Sequence, residues 1–180
     1  MRLFIAVNFN DQVKKWILDI QGLLRAQSTR GNFTRPENLH LTLVFIGESP
    51  EEKLNKIFKI MDEIELGSFE ISFSHTGCFT HSSKELWWIG VERSCPGLLQ
   101  LEAIHTQLLD RLLTSGFNVD NRPFNAHITL GREIKRLGPI VLNCPKITVK
   151  VNRISLMKSE HIRGILTYTE LMGQDLRADK

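Results

Sequence analysis

Two nine-residue stretches of this chain carry the same chemistry-bearing side chains in the same order. Arg35-Pro36-Glu37-Asn38-Leu39-His40-Leu41-Thr42-Leu43 and Arg122-Pro123-Phe124-Asn125-Ala126-His127-Ile128-Thr129-Leu130 align without a gap and share Arg, Pro, Asn, His, Thr and Leu. On a β-strand, residues i and i+2 project to the same face. His40 and Thr42 therefore project together, with Leu39, Leu41 and Leu43 turned to the core. His127 and Thr129 repeat this against Ala126, Ile128 and Leu130. Each copy offers one imidazole and one hydroxyl, and two copies could surround a small anion. An unperturbed His titrates near pH ~6.5, so a pair can hold one neutral and one protonated ring near neutrality. That pairing suits phosphoester hydrolysis without a metal. One ring takes a proton from water, the other gives one to the leaving oxygen, and the threonines donate to non-bridging oxygens.

The elements that must position these groups follow from patterning. Residues 2–9 are expected as a strand, and Asn10 or Asp11 as the cap of a helix running to about Gln27. Val13, Ile17, Ile20 and Leu24 lie at helical spacing on it. Ser28 to Asn32 is expected as a turn, 38–46 as the first motif strand, and about 50–64 as a helix capped by Ser49 with Pro50 at its first position. Residues 69–80 and 85–92 are predicted strands, and Pro96 to Ser115 a helix closed by Gly116. The second motif strand is placed at 124–132, one strand at Ile147 to Lys158, and a last strand at Gly164 to Leu171, before a polar tail from Gly173 to Lys180. In both halves a helix leads through a turn into the motif. That is the signature of an internal duplication with pseudo-two-fold symmetry. No linker rich in Gly, Ser or Pro separates the halves, so one domain of two tightly packed lobes is expected over residues 1–180.

Composition sets outer bounds. The chain has 180 residues, 42% hydrophobic and 24% charged, an ordinary globular mix. No apolar run reaches the ~18 residues of a membrane span, and the N-terminus turns polar too soon for a signal peptide. Cys78, Cys95 and Cys144 are an odd count without a Cys-x-x-Cys pair, which fits reduced thiols in a cytoplasmic protein. The net charge of +3 is compatible with a phosphorylated or nucleic-acid substrate without requiring one.

The paired motifs resemble those of the two-histidine (2H) phosphoesterase superfamily, and more narrowly the RNA 2′,3′-cyclic phosphodiesterases, also called 2′-5′ RNA ligases. The likeness runs through Arg2-Leu3-Phe4-Ile5-Ala6-Val7, Pro36 to Leu43 with Phe45-Ile46-Gly47-Glu48, and Leu86-Trp87. It continues in the second motif with Gly131-Arg132, then Ser155-Leu156-Met157-Lys158-Ser159, Gly164 and Tyr168. This resemblance implies a bilobal α+β fold, with two antiparallel sheets lining a central groove and helices packed outside. It implies hydrolysis of RNA 2′,3′-cyclic phosphate ends to 2′-phosphomonoesters, with His40 as proton donor and His127 as proton acceptor. Thr42, Thr129 and Arg132 would bind the phosphate. No cofactor, no metal and no protein partner is implied, so a monomer is expected. The chain departs from the family's usual Pro before the second His, carrying Ala126, a core-facing position where packing should change more than chemistry. Arg132 lies five residues after His127, so strict alternation places it on the opposite face. It reaches the groove through a bulge or a strand end at Gly131.

Other residues carry weaker signals. His75-x-x-Cys78-x-x-His81 is spaced loosely like a metal site but lacks an evident fourth ligand. His105 on a helix and His161 in a turn read as solvated. Trp87, Trp88, Phe4 and Phe45 are either core or base-stacking residues, and Arg35 and Arg122 are solvated or phosphate-attracting. Two alternatives to hydrolysis remain at this level: 2′-5′ RNA ligation by the reverse reaction, using the same residues, and an RNA-binding module without turnover.

Overall fold

A computed structural model describes residues 1–82, 84–120 and 122–176. Nine strands and three helices follow the order β1 (Arg2–Asn8), α1 (Asp11–Ala26), β2 (Ser28–Phe33), β3 (His40–Glu48), α2 (Leu54–Asp62), β4 (Phe69–His81), β5 (Lys84–Val91), α3 (Gly97–Thr114), β6 (His127–Arg136), β7 (Ile147–Val151), β8 (Arg153–Ile162) and β9 (Ile165–Asp175). The sheet path is β7-β4-β5-β6-β3-β1-β8-β9, with β2 pairing on β6, and every pairing is antiparallel. The expected pair of antiparallel sheets is thus one nine-stranded sheet of two halves, a four-strand half (β3-β1-β8-β9) and a five-strand half (β7-β4-β5-β6 with β2). They join through one residue pair at the centre, Leu41 opposite Ile128.

Each half is organised around a strand–helix–strand unit. In one, α1 links β1 to its neighbour β3, with β2 on the way; in the other, α3 links β5 to its neighbour β6. The helices pack across the junction: α1 lies against β2 and β6, and α3 against β3 and β4. α1 begins where expected, with the Asn10 side chain accepting from the Val13 N–H at 2.9 Å. Its buried stripe of Val13, Ile17, Ile20 and Leu24 and that of α3 (Leu101, Ile104, Leu108, Leu112) enclose one core with the inward residues of the strands. Leu39, Leu41 and Leu43 belong to that core, as do Ala126, Ile128 and Leu130. Truncating Leu41 or Ile128 to Ala would cost about 2–5 kcal/mol, and would do so at the seam of the halves.

Five expectations about the elements are corrected. Residues 28–33 form strand β2 rather than a turn. The segment is polar because it is an exposed edge, and its order comes from backbone pairing with β6 rather than from an apolar face. Gly31 permits this, since a methyl group there would collide with Ile134. The helix after the first motif starts with a single 3₁₀ turn at Glu51–Lys53, and neither turn nor helix has a side-chain cap. The Ser49 backbone is instead used by Met1, in both directions, at 2.7 and 2.8 Å. The second motif strand begins at His127 rather than at 124. The stretch 147–158 is two strands separated by Asn152, and β7 and β8 lie in opposite halves of the sheet. Period-2 alternation continues through Asn152, so the sequence hides the point where the chain changes lobes. The last strand runs on to Asp175; of the expected polar tail, residues 177–180 lie outside the described residues.

Candidate active site

The single pairing at the seam dictates the site. With Leu41 opposite Ile128, one step of antiparallel register in either direction sets His40 opposite Thr129 and Thr42 opposite His127. Since Leu41 and Ile128 face the core, the four polar residues face the groove. The two motifs therefore form a crossed square, with each histidine at the register position opposite the other copy's threonine.

Both rings are oriented by the same device. Nδ1 of His40 lies 2.7 Å from the Asn38 carbonyl, and Nδ1 of His127 lies 2.7 Å from the Asn125 carbonyl. A carbonyl can only accept, so Nδ1 carries the proton and each neutral ring keeps its Nε2 lone pair free. In the first copy that lone pair accepts from the Thr42 hydroxyl at 2.9 Å. In the second, Nε2 of His127 has no hydrogen-bond partner among the described residues.

Burial pushes the His40 pKa down to about 4; the Arg132 and His127 charges act in the same direction, and only the Asn38 hydrogen bond opposes them. His127 is also pushed below its ordinary value, first by burial and then by Arg132, against the Asn125 hydrogen bond. Both shifts favour the neutral rings at pH 7.

Arg132 reaches the groove because β6 bulges. The partner of Trp88 is Thr129 while that of Trp87 is Gly131, so Leu130 is an extra residue. A second irregularity follows at Glu133, with φ of +54°. The extra residue shifts the alternation: Leu130 and Gly131 are both buried, and Arg132 returns to the side of the histidines. Its charge acts on His40, His127 and the Tyr168 phenol alike. His40, Thr42, His127, Thr129 and Arg132 are thus brought together.

Aromatic rings flank each imidazole. Phe4 lies 4.9 Å and Tyr168 5.3 Å from His40, centroid to centroid. Phe79 and Trp88 approach His127 edge-on at 5.6 and 6.2 Å. Of the four aromatics singled out in the sequence, Phe4 and Trp88 border the histidines. Phe45 packs behind Phe4, and Trp87 packs on the core. The patterning missed Phe79 and the role of Tyr168 as a neighbour of His40. Phe79 could have been found from its place on the strand paired with β5; nothing local marks Tyr168.

Two polar side chains of the helices, one buried and one half-buried, complete the scaffold, and both were missed as such. Gln21 on α1 donates to the carbonyls of Leu130 and Thr34, each at 2.8 Å. His105 on α3 bonds the carbonyl of Leu43 at 2.8 Å and stacks on Phe124 at 4.5 Å. His105, expected to be solvated on its helix, is therefore half-buried and hydrogen-bonded. Leu43 and Leu130 are equivalent residues of the two motifs, so the helix leading into each motif braces the strand of the other.

The remaining candidates lie apart from the histidines' hydrogen-bond network. His75 and Cys78 are three residues apart on β4, and among the described residues no three His, Cys, Asp or Glu side chains converge as a metal-ligand set. His161 is exposed at the β8–β9 hairpin. Arg35 pairs with Glu37 and Arg122 with Asp120 at the surface, where solvent screens such pairs.

Comparison with known proteins fits this geometry. The "LigT like Phosphoesterase" family model matches residues 7–88 and 96–167. An RNA 2′,3′-cyclic phosphodiesterase of Archaeoglobus fulgidus is 37% identical over 142 residues, 78% of this chain and 77% of that protein. One of Escherichia coli is 28% identical over 170 residues, 94% and 93% of the two chains. The crystal structure of E. coli LigT complexed with 3′-AMP superposes with a TM-score of 0.82 at 29% identity, covering 97% of both chains. A Thermus thermophilus structure superposes at 0.76 with 27% identity over the full length of both. The duplicated motif, the crossed seam and the match to the family over most of the chain lead to one assignment: this protein is a member of the LigT-like phosphoesterase family.

Proposed function

We propose that this protein hydrolyses 2′,3′-cyclic phosphate ends of RNA, or of nucleotides, to 2′-phosphomonoesters by metal-independent acid–base catalysis. The observation that carries this reading is the crossed square of His40, Thr42, His127 and Thr129, with each imidazole fixed through Nδ1 to a backbone carbonyl. The family membership and the names of the relatives support the substrate class.

His127 takes a proton from water through its free Nε2. His40, protonated once the anion is bound, delivers a proton to the O3′ leaving group. The roles follow the resemblance of the two motifs to those of the family. Burial lowers both rings, His40 to about 4, so each is neutral near pH 7 until an anion is bound. Thr42, Thr129 and Arg132 hold the non-bridging oxygens as charge builds there. Acid, base and countercharge all come from side chains of one chain, so the scheme needs neither a metal nor a second copy. The free thiols of Cys78, Cys95 and Cys144 suit a reducing cytoplasm. No described helix is long and apolar enough to cross a membrane.

The test is turnover of a nucleoside 2′,3′-cyclic phosphate with and without EDTA, with product identification. A 2′-phosphate formed equally in both supports the proposal. A 3′-phosphate product, or loss of turnover in EDTA, contradicts it, and RNA binding without turnover would indicate a binding module.

A further inference from the structure

The outermost strand of the first lobe comes back to the motif that begins the lobe. β9 is three strands from β3 in the sheet path, so a flat sheet would leave the two roughly 14 Å apart. The lobe is not flat. The β1–β3 pairing slips register twice, between Leu3 and Phe4 and between Ile5 and Ala6, and the β8–β9 pairing slips between Leu156 and Met157. Such irregularities bend a sheet. On the inside of the bend Phe4, Ala6 and Met157 form a small second core with Phe45 and Tyr168. The bend sets the Tyr168 ring edge-to-face with His40 at 5.3 Å and brings β9 against the 3₁₀ turn Pro36–Asn38.

Asn38 closes the bend. Its side chain donates to the Leu166 carbonyl of β9 at 2.9 Å, while its own carbonyl accepts from Nδ1 of His40 at 2.7 Å. Asn38 is 6% exposed, so a lost partner would not be replaced by bulk water. Leu166 and Tyr168 are i and i+2 on one strand and share a face. The residue that orients the imidazole therefore also holds the strand that covers it. The second lobe has no such tie. Its outermost strand, β7, has 5 residues against the 11 of β9, and Asn125 is exposed, with only its carbonyl engaged, on His127.

We propose that the Asn38 side chain is a positioning residue for His40: by tying the turn before β3 to β9, it fixes the direction of the imidazole and keeps water off it. The proposal rests on the reading of His40 as the catalytic acid. Asn38 touches neither substrate nor a transferred proton; it acts through its backbone carbonyl and through β9. Releasing the tie lets β9 lift, the Tyr168 ring leave His40 and water enter. The largest cause that holds the His40 pKa down is burial, so hydration raises it. The other groups that face the ring are Arg132 and His127 from β6 and the Tyr168 phenol from β9; β1 contributes the uncharged Phe4. None of the three titrates or moves closer when the tie is lost, so the direction of the change is set by hydration.

The experiment compares wild type, Asn38→Ala and Gln21→Leu by steady-state kinetics on adenosine 2′,3′-cyclic phosphate and by NMR titration of the His40 ring. Gln21→Leu removes a buried amide donor of the scaffold and reports what lost stability alone does. Asn38→Ala should lower kcat about 10–100-fold with KM little changed, the loss expected for a misplaced catalytic group. Its His40 ring should titrate well above the wild-type value of about 4, toward the ordinary ~6.5, and its kcat/KM profile should move to higher pH. Gln21→Leu should keep the wild-type titration and profile. A wild-type kcat in Asn38→Ala overturns the proposal, as does a lower kcat with the His40 titration and the pH profile unmoved, which would make Asn38 a structural residue only. Either result leaves the hydrolase reading standing. A wild type inert on the cyclic nucleotide overturns the hydrolase reading and the role of Asn38 with it.

Discussion

The two copies of the motif share their chemistry and differ in their surroundings. His40 sits against Phe4 and Tyr168, its Nε2 already engaged by Thr42. Its orienting residue Asn38 is buried and bonds the Leu166 carbonyl at 2.9 Å. His127 is the more open of the two. Its Nε2 has no partner among the described residues, and Asn125 is exposed. The same strand geometry, placed in a tighter and a looser wall, gives the two imidazoles different surroundings. That difference comes from residues outside the repeat: Phe4, Tyr168, Phe79, Trp88 and the charge of Arg132.

The comparison breaks most severely if either histidine is dispensable. His40→Ala and His127→Ala should each lower kcat about 10²–10⁴-fold, with thermal unfolding little changed; near-normal turnover in one of them would mean that the copies do not act as a pair. Thr42→Val and Thr129→Val should each cost less, about 10–100-fold in kcat, because each removes one donor to the phosphate while the titrating rings remain. Arg132→Gln sharpens the comparison through pH. The Arg132 charge lowers both histidines, so its removal raises both pKa values and should move the kcat/KM profile to higher pH; an unmoved profile would place Arg132 outside the electrostatics of the site.

The smallest effects concern the cross-braces. Gln21→Leu leaves the Leu130 and Thr34 carbonyls without their donor and should destabilise the fold by about 1–3 kcal/mol in denaturant unfolding. His105→Phe keeps the stack on Phe124 and should cost about 1 kcal/mol. Stability itself should depend on pH. His40 has a folded-state pKa below its unfolded value, so between about 6.5 and about 4 the unfolded chain binds more protons. The contribution is complete above the unfolded pKa and is lost as pH falls toward 4.

How much of this the sequence shows depends on whether the signal is local. The histidines, threonines and interleaved leucines were legible because period-2 alternation assigns faces from spacing alone. The α1 cap and both helix stripes were legible for similar reasons. The exposed β2 edge was not, since its order is supplied by β6, and the lobe change at Asn152 falls inside unbroken alternation. Arg132 carried a stated condition, a bulge near Gly131, because alternation alone put it on the wrong face; the register shift supplies that bulge. His105 was misread because its acceptor, the Leu43 carbonyl, lies 62 residues away in the chain. Family resemblance named the acid and the base, but the asymmetry that distinguishes them is tertiary.

The pH dependence of kcat/KM on a nucleoside 2′,3′-cyclic phosphate tests the unequal pair most directly, since it reports the free enzyme's acid and base. The active form holds one proton between the two rings. The profile should therefore be a bell on the acidic side of pH ~6.5, because burial and the Arg132 charge lower both rings. A rate that is flat with pH, or that keeps rising through pH ~8, well above the ordinary His range, would contradict the two-histidine account.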